Sequence, residues 1–365
     1  MRQNCNISFK VTGVDSLGQG VCKTSDKVTF IPKTLPGDEG EAEIISEKKG
    51  VRFAELTQLK TSSSQRIEPV CPHFATCPSC HFLHTSYKDE LAFKVASFER
   101  MFQKLEHPPL EVIGAPERLG YRNRIQLHYD LRKKNLGMLD ARQNRIIEVP
   151  HCLIGNDAVS AKLRGLYENR SWLNLAAAQS PTGHVEIYDS PEGIKVSWNR
   201  PYAEGGFTQV YAAMNERLKS VLQDEFQAWP TGKILDLFAG NGNLSEKLKH
   251  SERLCVDIYN RPVRSPFISQ DLYDERALKV VAKNLHELGF SPDTVLLDPP
   301  RSGLKDLHLW LEQFSSQKVV YVSCDPHTLV RDINTLKNYR LTKLMLIDFF
   351  PSTFHFESLV ILERK

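Results

Sequence analysis

Over the first sixty positions, apolar and polar residues alternate in short stretches, as in Ile7–Val11, Val28–Ile31, Glu41–Ile45 and Arg52–Leu56. A period of two predicts half-buried strands. Turn-forming groups, Ser16–Gly20 and Leu35–Asp38, separate them. Five short strands in residues 1–60 predict a small OB-like β-barrel. Thr61–Gln65 is polar and aperiodic and reads as a linker. From Tyr87 to Leu105, apolar residues recur at helical spacing (Leu91, Val95, Phe98, Met101, Phe102, Leu105) and predict an amphipathic helix. Strand-like runs return at Arg124–Tyr129 and His184–Tyr188. After residue 205, short apolar runs at Lys233–Phe238, Arg253–Asp257, Thr294–Asp298 and Lys318–Ser323 alternate with helical stretches. That texture predicts a doubly wound, Rossmann-like α/β sheet with ligands at the carboxyl ends of its strands. The expected fold class is α/β plus β, in three domains: residues 1–60, 61–200 and 201–365.

Composition adds limits. Of 365 residues, 41% are hydrophobic and 25% charged, which suits globular domains rather than disorder. No apolar run reaches membrane-spanning length and the N-terminus carries no apolar signal core, so a cytoplasmic protein without a membrane partner is expected. Forty-seven basic and 44 acidic residues leave a net charge of +3, too balanced to announce nucleic-acid binding by itself. Any such surface must be a local patch. With no export signal, the eight cysteines point to metal or catalysis before disulfides.

Five segments carry candidate chemistry. Cys71, Cys77 and Cys80 lie within ten residues, and Cys152 follows Val149-Pro150-His151. Four thiolates suit either zinc or an iron–sulfur cluster, and spacing does not separate the two. The run Asp236-Leu237-Phe238-Ala239-Gly240-Asn241-Gly242 leads from a strand into a glycine turn and a helix expected near Leu244. D-x-F-x-G-x-G is the S-adenosylmethionine type of loop, with Asp236, Phe238, Gly240 and Gly242 as its contacts. Asp257 and Asp271, at the ends of the next two strands, are expected at the ribose and the adenine. Asp298-Pro299-Pro300 holds an acid at a stiffened strand end, as a substrate-facing group. Cys324 stands at the tip of an apolar strand, where the helix after Pro326 is expected to favour its thiolate. Glu357 precedes the last strand, Ser358–Leu362.

In order, these segments resemble the RNA uracil-C5-methyltransferases that carry a TRAM domain and an iron–sulfur cluster, most closely those acting on 23S rRNA. The resemblance covers essentially the whole chain. Its most specific pieces are Ser323-Cys324-Asp325-Pro326 with Thr328-Leu329-Val330-Arg331-Asp332, and Phe350-Pro351-Ser352-Thr353-Phe354-His355-Phe356-Glu357. It implies a TRAM domain at residues 7–60, a [4Fe-4S] cluster on Cys71, Cys77, Cys80 and Cys152, and a monomeric enzyme binding S-adenosylmethionine and RNA. It implies Cys324 as the nucleophile on uracil C6, Glu357 as the base for the C5 proton, and Gln209 and Asp298 as contacts of the cofactor or the pyrimidine edge. Arg122, Arg124, Arg132, Lys133 and Lys134 are candidate RNA grips.

Three departures from the family pattern stand out. Ile258–Gln270 is too short for a usual helix and strand, Tyr211 replaces an asparagine after Gln209-Val210, and Cys77-Pro78-Ser79-Cys80 replaces Cys-Gly-Gly-Cys. Two other readings follow: a tRNA uracil-C5-methyltransferase, and an RNA-binding protein with a decayed cofactor pocket.

Overall fold

The computed structural model describes residues 6–24, 27–201, 209–229, 232–248, 252–258 and 266–365. Contacts divide the chain into two units. One comprises Met1–Ser97, Pro116–Arg200 and Phe350–His355, the other Phe98–Ala115, Pro201–Phe349 and Phe356–Lys365.

The first unit begins with β1 (Asn6–Lys10), β2 (Gly13–Val14), β3 (Gln19–Thr24), β4 (Lys27–Pro32), β5 (Glu39–Lys48) and β6 (Val51–Thr61). They form one sheet in the order β1-β5-β6-β4-β3-β2. Its two edges, β1 and β2, are separated in sequence only by Val11 and Thr12. Val11 N–H donates to Asp38 O (2.9 Å), and Thr12 N–H donates to Val21 O (2.8 Å). One stretch of chain therefore serves both edges, and the sheet curls on itself. Phe9, Val11, Cys22, Ile31, Ala42 and Ala54 fill it, which makes Cys22 a core residue.

Thr61–Gln65 is not the free linker its polarity predicts. β6 runs through Thr61, and Ser63 N–H donates to buried Asp38 (2.8 Å). Asp38 gathers further donors from Leu35 N–H (2.7 Å) and Arg66 (2.5 Å). Burial alone raises a carboxyl's pKa, but here these donors outweigh it and hold Asp38 below the usual range.

The same unit holds a second, antiparallel sheet of β8 (Arg124–Asp130), β9 (Asn135–Asp140), β10 (Arg145–Ile147), β11 (Thr182–Ser190) and β12 (Gly193–Trp198), in the order β10-β9-β8-β11-β12. Leu127, Leu136, Val185 and Ile187 meet Val159 and Leu163 of α2 (Asp157–Glu168). Neither α2 nor α3 (Trp172–Ala177) was expected. The start of α2 rests on a local cap, Asn156 Oδ1 accepting from Val159 N–H (2.9 Å). Helix α1 (Tyr87–Phe102) stops just short of the predicted end.

The second unit is built on eight strands: β7 (Leu110–Ile113), β13 (Lys233–Leu237), β14 (Glu252–Asp257), β15 (Phe267–Ser269), β16 (Thr294–Leu297), β17 (Lys318–Ser323), β18 (Tyr339–Ile347) and β19 (Glu357–Arg364). Their order is β15-β14-β13-β16-β17-β19-β18-β7. All neighbours are parallel except β19, which runs against β17 and β18. Helices α4 (Ala212–Gln227), α5 (Ala277–Glu287), α6 (Leu307–Phe314) and α7 (Pro326–Ile333) accompany the strands. β16 is buried at every position, as expected of a strand covered on both faces. From β13 the chain first moves outward to β14 and β15, then returns to the other side of β13 for β16 and β17. That reversal places the ligand crevice at the carboxyl ends of β13 and β16.

The helix expected near Leu244 is absent. Residues 241–247 form successive turns, tied by Gly242 N–H to Ala239 O (2.7 Å) and Glu246 N–H to Gly242 O (2.9 Å). The left-handed backbone of Gly240 and Gly242 favours turns over a continuous helix here. Of the shortened Ile258–Gln270 stretch, the last part supplies β15, and residues 259–265 lie outside the described residues.

Candidate active site

Strand register brings three predicted residues together. Ser323 of β17 pairs with Ser358 of antiparallel β19. Cys324 and Glu357 are the next positions outward on these adjacent strands. β16 is the other neighbour of β17 and ends at Leu297, so Asp298 emerges at the same edge.

The groups act on one another electrostatically. Glu357 is 3% exposed, and its Oε2 has no hydrogen-bond partner among the described residues. Burial, then the Asp298 carboxylate, raises its pKa well above the usual range, with Arg301 opposing. Asp298 is raised by burial and then by Asp236. Burial is the larger cause at both groups, and the neighbouring carboxylate adds to it. The Cys324 thiol is pushed up to about 12, first by burial, then by Glu357 and Asp298, against the pull of Arg301.

The expected thiolate-favouring effect of α7 is therefore overturned. Asp325 caps the helix by accepting from His327 N–H (3.0 Å) and Thr328 N–H (3.3 Å), so its leading donors are already engaged. The free protein holds a neutral thiol beside carboxyls.

The glycine turn after β13 is backbone-shaped. Phe238, Gly240 and Gly242 all have positive φ (58°, 56° and 77°). A Cβ on Gly240 would meet nothing within 4 Å among the described residues, so the turn is open there. Asp257 Oδ2 accepts from Gly240 N–H (2.8 Å) and thus holds the turn. Asp236 is buried and points inward. Its Oδ2 accepts from Ser245 Oγ (2.5 Å) and lies 3.9 Å from Cys255 Sγ. Burial lifts its pKa to about 7. Cys255 thereby belongs to the packing around Asp236.

Asp271 is exposed and accepts from Tyr273 N–H (2.9 Å). The Tyr273 ring lies 5.5 Å from that of Phe238. Asn215 and Asn243 exchange side-chain hydrogen bonds (3.0 and 2.9 Å), which fix the start of α4 beside the turn. Gln209 is buried just ahead of that helix.

In the first unit, Cys77 and Cys80 are buried, Cys71 and Cys152 half-buried, and all four are free thiols. Cys77 joins the core of the second sheet and Cys152 packs against it. Burial raises the Cys80 thiol well above its usual range, and Cys77, Cys152 and Cys71 add to the effect. The four therefore share one neighbourhood. Backbone N–H groups of His73 and Phe74 serve Cys71, and those of Gly155 and Ile154 serve Cys152. Among the described residues, no three His, Cys, Asp or Glu side chains are drawn into metal-holding geometry. Lys33 Nζ donates to the carbonyls of Phe74 (2.5 Å), Ala75 (3.1 Å) and Cys77 (2.9 Å), tying the cysteine loop to the barrel strands.

One predicted RNA grip is misplaced. Arg124 is 6% exposed, pairs with Glu186 (2.8 Å) and lies over the Tyr188 ring (4.3 Å). Its partners sit on β11, far away in sequence. Arg132, Lys133 and Lys134 are exposed in the turn after β8. Sequence reasoning also missed Arg301, the cation that opposes the carboxyls at Cys324 and Glu357, although it directly follows the quoted prolines.

Comparison with known proteins agrees with this arrangement. A family model described as tRNA (Uracil-5-)-methyltransferase matches residues 264–365. The 23S rRNA (uracil(1939)-C(5))-methyltransferase RlmD of Shewanella sediminis is 27% identical over 99% of this chain and 96% of its own. The protein of the same name from Aeromonas hydrophila is 28% identical over 98% of this chain and 96% of its own. The crystal structure of Pyrococcus abyssi tRNA (uracil-54, C5)-methyltransferase with S-adenosyl-L-homocysteine shares the fold. It gives a TM-score of 0.70 at 18% identity, covering 97% of this chain and 99% of that one. With Cys324, Glu357 and Asp298 gathered at one sheet edge, the chain is similar to the RNA uracil-C5-methyltransferases, RlmD among them.

Proposed function

We propose that the protein methylates C5 of uridine in RNA, with 23S rRNA as substrate and S-adenosylmethionine as methyl donor. The observation that carries this is the placement of Cys324 beside Glu357, a buried carboxyl with an unpartnered oxygen. Uracil C5 is a weak nucleophile. Cys324 first loses its thiol proton to solvent, and addition of the resulting thiolate to C6 makes C5 carbanion-like. The bound cofactor supplies the methyl group. Glu357, acting in its ionised form, takes the C5 proton, and the C6–S bond then breaks to release Cys324 as thiolate. Asp298 and Gln209 orient the base and stabilise charge on its polar edge. The target nucleotide leaves its stack to reach this cleft.

The open, left-handed turn at Phe238–Gly242, at the point where strand order reverses, suits the cofactor. Asp257 supports that turn, and Asp271 stands at the end of β15 on the same side. The four cysteines also suit a [4Fe-4S] cluster, since the donor set is all thiol and backbone N–H groups already point at Cys71 and Cys152. Burial against an apolar core favours a structural role for it. We further read residues 1–60 as a TRAM barrel, 61–200 as the cluster domain and 201–365 as the methyltransferase of a cytoplasmic monomer.

Two measurements test this reading. Mapping 5-methyluridine in total rRNA and tRNA with and without the gene is expected to show one 23S rRNA site lost on deletion. A tRNA site lost instead replaces the substrate, and no lost site overturns the reading. Anaerobically purified protein is expected to be brown and iron-loaded, and Cys152→Ser to be colourless. Stoichiometric zinc without visible absorbance overturns the cluster.

A further inference from the structure

The segment Thr328–Asp332 marks the family but has no part in the chemistry above. Asp332 is fully buried on α7, and its carboxylate is saturated by four donors. Oδ2 accepts from Leu304 N–H (2.7 Å) and Tyr321 OH (2.8 Å). Oδ1 accepts from Arg331 Nε (2.8 Å) and Arg331 Nη2 (2.6 Å). Arg331 Nη2 also donates to Ser302 O (2.7 Å).

These bonds converge on one turn. Residues 298–304 leave β16 with Asp298, pass Pro299, Pro300 and Arg301, and close by Gly303 N–H to Pro300 O (2.8 Å). Gly303 has φ +67°, and a Cβ there would fall 2.3 Å from Asp332 Oδ2 and 2.7 Å from Arg331 Nη2. The glycine is what lets the turn lie against the carboxylate. Tyr273 OH reaches the same turn at Ser302 Oγ (2.7 Å) and Gly303 O (3.1 Å). Tyr321 belongs to β17, the strand that ends at Cys324.

We propose that Asp332 is a positioning residue for methyl transfer: it locks the 298–304 turn to β17, and so sets Asp298 and Arg301 against Cys324 and Glu357. The proposal rests on the reaction assigned above for its kinetic arm only. A carboxylate is needed because all four partners are donors. An asparagine would aim an N–H at one of them and leave the turn loose. Near-attack geometry is sensitive to shifts of this kind, and a misplacement of about 1 Å costs on the order of 10²-fold in rate.

The test compares Asp332→Asn with the milder Tyr321→Phe in two readouts. In methyl transfer to a 23S rRNA transcript, Asp332→Asn is expected to lower kcat at least tenfold, with KM for S-adenosylmethionine unchanged within twofold. Tyr321→Phe is expected to cause a smaller loss in the same parameter. The second readout needs no turnover: the rate at which iodoacetamide alkylates Cys324 at pH 8, followed by peptide mass spectrometry. Burial and neighbouring carboxyls suppress this thiol in the wild type. A loosened turn admits water and moves Asp298 away, so alkylation is expected to quicken severalfold in Asp332→Asn, with Tyr321→Phe between it and wild type.

Wild-type kcat and alkylation rate in folded Asp332→Asn overturn the proposal. So does a loss of activity that only tracks loss of folded protein, with Tyr321→Phe unchanged in both readouts. If the wild type methylates no RNA, the assigned function fails while the alkylation series still decides the positioning role.

Discussion

Two buried glutamates, one in each unit, are treated in opposite ways. Glu90 of α1 is fully buried and fully answered. Its Oε1 accepts from Lys94 Nζ (2.8 Å) and Ser352 N–H (2.7 Å), and its Oε2 pairs with Arg118 (2.8 Å). Glu357 is nearly as buried, yet its Oε2 has no hydrogen-bond partner among the described residues, and the Asp298 carboxyl stands nearby. Burial alone does not mark a functional acid. The mark is an acceptor left unanswered where a substrate atom can arrive.

The largest expected effect lies at Cys324, the proposed nucleophile beside Glu357. Cys324→Ala is expected to lower methyl transfer by at least about 10³-fold and to abolish covalent trapping by 5-fluorouridine RNA, while RNA retention on a filter persists. Full activity in that variant ends the thiolate mechanism. Glu357→Gln is expected to slow turnover by about 10²–10⁴-fold, the usual reach of a general base. Addition can still occur without proton removal, so a protein–RNA adduct is expected to accumulate on a denaturing gel. No adduct and normal turnover remove Glu357 from the reaction.

The pH dependence is the next effect in size. With the Cys324 thiol at about 12, the thiolate fraction rises about tenfold per pH unit across the neutral range. Single-turnover adduct formation is expected to rise steeply from pH 6 to 8 in step with it. A flat profile means that bound RNA resets the thiol.

Stability sharpens the contrast most directly. The Glu357 pKa in the folded protein lies above its unfolded value, so the unfolded chain releases a proton that the folded one keeps. Stability from this group is full below the unfolded pKa and falls as pH rises above it. Glu357→Gln is therefore expected to melt higher than wild type at pH 7 and equally at pH 4. Glu90→Gln breaks an answered charge cluster and is expected to lose about 3–5 kcal/mol while the remaining folded enzyme keeps its kcat. Melting curves that move the two variants in the same direction at pH 7 dissolve the comparison.

Much of the second unit is legible in the sequence. Strands buried on both faces read as continuous apolar runs, and a polar residue or turn at each carboxyl end marks the ligand edge. Lys318–Ser323 is found at its predicted bounds, and Cys324 follows it as expected. What escapes is set by pairing across long sequence distance. Arg124 reads as an exposed cation because Glu186 is invisible beside it, and Ser63 reads as a linker residue because Asp38 is. The sign at Cys324 fails for the same reason. A helix start is local and can be read, whereas Asp298 and Glu357 are assembled by the sheet. Asp332 stands in a quoted motif beside Arg331, but its other two donors, Leu304 N–H and Tyr321 OH, come from separate segments.

The edge strand β7 carries a consequence for how the chain comes into being. It precedes the second sheet of the first unit in sequence, yet Leu110 pairs with Leu344 of β18 and Ile113 with Ile347. During synthesis this strand must wait, unpaired, until nearly all of the chain has emerged. Contacts of such high order form late and slow folding. A fragment starting at residue 201 would leave β18 as a bare edge able to pair with another copy. The methyltransferase sheet is therefore closed by a piece of polypeptide made before most of it exists.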